Sequence, residues 1–114
     1  MEEAVAEIAA KTGLDPAIVR KAIGIIVNFL AREGPQEQIR MMMDKLPGAQ
    51  ALADQFSGAS GGLLGAFNDL TAAGLSMSET QQVAAGFIGF AKAKMGDADV
   101  DAVIRNIPGL SQFI

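Results

Sequence analysis

DPAIVRKAIGIIVNFLAREGP, residues 15–35, is the stretch on which the fold turns. Asp15 offers an N-cap oxygen, and Pro16 takes the first helical position, where its missing N–H costs nothing. Gly34-Pro35 is the stop, so the segment predicts a helix from about Pro16 to Glu33. Ile18, Val19, Ala22, Ile23, Ile25, Ile26, Val27, Phe29 and Leu30 occupy nearly every side of it. A helix that is apolar all round is normally enclosed by other helices. Its most apolar run, AIGIIVNFLA from Ala22 to Ala31, contains Asn28 and is half the roughly 20 residues needed to cross a bilayer. No membrane span is therefore expected.

Working outward, Ala4, Val5, Ile8 and Ala9 recur at one-face spacing, which predicts a first helix from about Glu2 to Lys11, stopped by Gly13. Beyond Pro35, Ile39, Met42, Met43 and Leu46 sit at i, i+3, i+4 and i+7, a third helix closed by Pro47-Gly48. A short amphipathic turn through Leu52 and Phe56 leads into Ser57–Gly62, a Gly/Ser-rich stretch that reads as a linker. The plan then returns. Helices are expected from about Leu63 to Ala72, from a start at Ser76 to about Lys94 and, after a break at Gly96-Asp97, a short one to Asn106, with further breaks at Gly74 and Pro108-Gly109. Ser76 and Glu79 have the Ser-x-x-Glu spacing of a capping box.

Shifting the sequence by 61 positions aligns residues 1–53 with 62–114 without a gap. Five pairs are identical: Gly13/Gly74, Leu14/Leu75, Phe29/Phe90, Pro47/Pro108 and Gly48/Gly109. Four of these fall at element boundaries, and apolar positions pair throughout, as in Val27/Ile88 and Met42/Val103. The pattern predicts an all-α chain in one domain, 1–114, built from two duplicated three-helix units, 1–56 and 63–114, joined by the 57–62 linker. A unit of about 50 residues buries too little surface to be secure alone. The two long middle helices are therefore expected to pack together about a pseudo-two-fold axis.

Composition narrows the chemistry. The 114 residues include no His, Cys, Tyr or Trp, so disulfides, thiol nucleophiles, zinc sites of the usual kind and Ser–His–Asp triads cannot be built within one chain. Half the residues are hydrophobic and 19% are charged, which supplies ample material for a core. The net charge is −4, shared as −2 on residues 1–57 and −2 on 58–114. Neither half has the cationic surplus that duplex binding demands. The Met-Glu-Glu start is no secretory pattern, and a cytoplasmic protein is expected.

Four features invite a functional reading. Ala6–Ile23, AEIAAKTGLDPAIVRKAI, has helix-turn-helix rhythm, with Ala9 at the crossing, Gly13 at the turn and Ile18 or Val19 anchoring the second helix. It also resembles the helical hairpin that opens histone-like HU proteins, running on to Phe29. The basic β-ribbon that carries HU binding has no counterpart here, and Lys11, Arg20 and Lys21 are the obvious cations. The glycines Gly58, Gly61, Gly62 and Gly65 lack the preceding strand and the Gly-Lys-Ser/Thr ending of a phosphate loop. Asp97, Asp99 and Asp101 alternate as in a calcium loop, but Ala102 and Pro108 stand where that loop needs Gly and Glu. An Asp97 N-cap with acids in the first turn accounts for them. In Met41-Met42-Met43, the second and third fall on the apolar face, while Met41 points elsewhere and, near Leu46, suits an adaptable partner surface.

Together, TGLDP, VNFLAREGP, KLPGAQAL, the Gly-rich middle, TAAGLSM and IPGLSQFI resemble a group of small bacterial helical proteins of unknown function, the VcgC/VcgE-type proteins, with a looser similarity to YidB-like proteins. The resemblance covers nearly the whole chain and rests on Gly/Pro punctuation. It implies an all-α fold and carries over no site residue. The expected function is that of a non-catalytic helical module for protein–protein interaction or structure, with itself, as a homo-oligomer, or another protein as partner. The alternative is a DNA-associated helical hairpin protein. The acids and lysines are expected on solvated faces and the five serines have no activating base, so no catalytic, cofactor-binding or metal-ligating residue is assigned.

Overall fold

Asp15 caps the helix that organises the structure: its Oδ1 accepts from the Ala17 N–H at 2.8 Å, and Pro16 follows at the first position. That helix runs Pro16–Glu33, as the punctuation predicts. The computed structural model describes residues 1–56 and 62–113, with only the backbone at 113. Among them are eight helices and no strand: α1 Glu2–Thr12, α2 Pro16–Glu33, α3 Gln36–Lys45, α4 Ala49–Gln55, α5 Gly62–Ala72, α6 Met77–Met95, α7 Asp97–Asn106 and α8 Leu110–Phe113.

The stops work through backbone conformation. Gly13 takes the left-handed region at φ 75°, which a residue with a Cβ resists, and its N–H bonds back to the Ala9 carbonyl. The α6 start is a full capping box: Ser76 Oγ accepts from the Glu79 N–H at 3.1 Å and Glu79 Oε1 from the Ser76 N–H at 2.9 Å. At α7 the expectation needs correction. Gly96 is the N-cap, and Asp97 is the first helical residue with no side-chain cap bond. Asp97 and Asp99 instead face the positive end of the helix dipole.

Helix α2 is enclosed on most sides, packing against α1, α3, α4, α5 and α6. Val19, Ala22, Ile23 and Val27 are wholly shielded from solvent. The long helices α2 and α6 touch, and Val83, Phe87 and Ala91 carry the core onto α6. Helix α7 adds Val100 and Val103. The segment expected as a turn through Leu52 and Phe56 is a helix, α4, laid across α2. The Gly/Ser linker lies outside the described residues except for Gly62, which is already the first residue of α5. No helix among the described residues is long and apolar enough to cross a membrane.

Candidate functional site

The hairpin of α1 and α2 places its cations first. Arg20 reaches back across the turn to α1, its Nε donating to Glu2 Oε2 at 3.2 Å and a terminal amino group to Oε1. Those hydrogen bonds, helped by the guanidinium charge, hold the Glu2 carboxyl below the usual glutamate range and raise Arg20 in return. Lys11 lies 3.7 Å from Glu7, one turn earlier on α1. The hairpin thus spends Arg20 and Lys11 on its own acids. The would-be recognition helix α2 is also packed against five other helices, although Pro16, Ala17 and Lys21 at its start stay exposed.

The remaining sequence candidates separate. Gly58 and Gly61 lie outside the described residues, and Gly62 and Gly65 belong to helix α5 rather than to a loop. Asp97, Asp99 and Asp101 alternate along one continuous helix, and Asp101 approaches Lys92 at 3.4 Å. No cluster that could hold a metal ion forms among the described residues. Met42 is fully buried, Met43 is partly buried against the core, and Met41 is half-buried. Leu46 is 1% exposed and belongs to the core, in line with its place on the apolar face, while Met41 is less exposed than a free partner surface would require.

Two features have no forerunner in the sequence reading. The first is a wholly apolar cavity of about 40 Å³ where α2, α5, α6 and α8 meet, lined by Phe29, Leu30, Leu63, Leu70 and Ala84 among others. Small-molecule sites run to roughly 300–1,000 Å³, so this is a packing defect rather than a ligand chamber. The second is Asn28, inside the apolar helix. Its Nδ2 donates to the Ala53 carbonyl of α4 at 3.2 Å, and its Oδ1 is buried with no hydrogen-bond partner. A lone Asn in an otherwise apolar run was the available signal; which helix it would meet was not.

Ala85 and Gly89 are exposed between two shallow grooves, one toward Glu3, Glu7 and Lys11 of α1 and the other toward Ile104 of α7. Leu64 and Met77 are the large apolar side chains most exposed, at 74% and 60%.

No family model, curated protein or solved structure matches this chain. Its function has to be argued from its own geometry.

Proposed function

We propose that this is a bacterial, cytoplasmic, non-catalytic helical module made of two duplicated units, which acts by protein–protein contact or as a structural piece. The observation that carries the reading is where the charges lie. The ion pairs Glu7–Lys11, Glu2–Arg20 and Lys92–Asp101 all join side chains that are substantially exposed, and no Asp, Glu, Lys or Arg among the described residues is buried. General acids and bases work when burial or close like charges tune them. Exposed, paired carboxylates of this kind are a solvated surface. Exposed Leu64 and Met77 give that surface apolar points for a partner.

The duplication has its own support. Helix α7, 97–106, repeats α3, 36–45, at an offset of 61 at both ends, and the starts of α2 and α6 (16 and 77) and of α4 and α8 (49 and 110) differ by the same 61. Packing is partly reciprocal: α1 lies on α6 as α5 lies on α2, while α2 meets α6 and α3 meets α7. The likeness to VcgC/VcgE-type proteins fits the same all-helical plan.

The test is photo-crosslinking in living cells from a reactive amino acid placed at position 64 or 77. The module reading expects a discrete adduct whose mass tells a second copy from another protein, and no adduct at either position counts against it. The DNA-associated alternative draws on the hairpin geometry, and it is separated by titration with random duplex. At about 50 mM salt the module reading expects no binding, whereas affinity that falls steeply with added salt would favour the alternative.

A further inference from the structure

Helix α4 is shorter than its neighbours α3 and α5 and rests on one helix. It has seven residues, well short of the roughly 12–15 at which an isolated helix becomes marginal, so it exists because it is docked. Neither end carries a side-chain cap: the N-cap is Gly48 at φ 91° and the C-cap is Phe56. Its packing is concentrated on one partner, α2. Ala49, Leu52 and Ala53 are buried there, and Phe56 packs over Gly24.

The interface beneath it contains a fault. Asn28 gives one hydrogen bond to Ala53 and keeps Oδ1 buried and unpaired. A buried acceptor without a donor costs part of its hydration, and that cost is recovered once water reaches it. Lifting α4 is the movement that uncovers Asn28, because α4 is the element its amide faces.

We propose that α4 is a releasable strap: it opens from α2 as a unit of its own, while α1, α2, α3, α6 and α7 stay folded. Opening bares the α2 face around Gly24 and Asn28. In the duplicated reading, on which this last step rests, those positions correspond to Ala85 and Gly89, the exposed face of α6. The strap thus closes on one unit a surface that the other leaves open.

Native-state hydrogen exchange on the full chain tests this. The amides of Ala53 and Phe56 should exchange at least about tenfold faster than those of Val27 and Leu30, through an opening that depends on low denaturant less steeply than the core does, because it exposes less surface. In Asn28→Asp, which removes the bond to Ala53 and puts a carboxylate under α4, the strap amides should speed up by a further factor of about ten. Phe56→Ala, which leaves α2 untouched, should act in the same direction. Val103→Ala, a truncation in the core part of α7, should speed exchange at Val83 and Phe87 and leave the strap amides unchanged, because the contacts it weakens persist when α4 opens. Strap amides that exchange only with the core, or a Val103→Ala variant that speeds the strap amides as much as the core, would overturn the proposal. Either result leaves the crosslinking test standing, so the strap and the module readings fail separately.

Discussion

Gly24 and Gly89 are both glycines in the middle of long helices, and the structure gives them opposite meanings. A Cβ on Gly24 would lie 2.8 Å from the Leu52 carbonyl oxygen and 2.8 Å from the Phe56 ring. The first obstacle is backbone, so α4 would have to move. At Gly89 the same Cβ would meet nothing within 4 Å. Gly24→Ala should therefore cost about 1–3 kcal/mol by overpacking. Gly89→Ala should gain about 0.5–1 kcal/mol from helix propensity, and urea unfolding of the two variants compares them directly. Nothing in the sequence separates these residues, since the difference lies in what stands opposite. Glu2 makes a second prediction. Because its folded pKa is depressed by Arg20, its contribution to stability is complete above the usual glutamate range and fades as pH falls through the lowered value. In an NMR titration, Arg20→Gln should move the Glu2 carboxyl back up; an unmoved carboxyl would mean the pair does not persist in solution.

At the scale of the element, local chemistry was legible wherever it is self-contained. Asp15-Pro16, Gly13 and the Ser76/Glu79 box set their helix boundaries through contacts within a few residues, and such contacts can be read from spacing. Helix α4 was not legible. Seven residues introduced by Gly48 are too few to declare a helix even with good helix formers among them, and what stabilises them is α2, whose Asn28 meets Ala53 from 25 residues away in sequence. Asp97 failed for a related reason, because Gly96 at φ 91° turns the chain one residue before it and takes the cap position. If α4 is held by packing alone, Leu52→Ala, which truncates a side chain 6% exposed against α2, should cost about 2–5 kcal/mol. Thermal melts followed by circular dichroism would register that loss. A loss under about 0.5 kcal/mol, the level of an ordinary surface change, would show that α4 contributes little to the fold.

For the whole molecule, the apolar helix at Pro16–Glu33 announced its own enclosure, and its contact with α6 joins the two halves as the periodicity implied. The candidate sites were legible mainly as weak matches. Charge count and missing residue types depend on composition and need no coordinates, so they could be read at once. The fate of Arg20, tied to Glu2 across the turn, depends on how two helices meet and could not. The same holds for Asn28 and Ala53, which lie 25 residues apart and are joined only by folding.

The interdependence of the halves is the claim on which the architecture rests, and expressing residues 1–57 alone tests it most directly. Without α5 and α6, Ile26, Phe29 and Leu30 of α2, which meet those helices around the apolar cavity, lose much of their cover. The fragment should then melt without a cooperative transition or associate to regain burial, as followed by circular dichroism and light scattering. A fragment that stays monomeric and melts in one sharp, cooperative step would contradict the account.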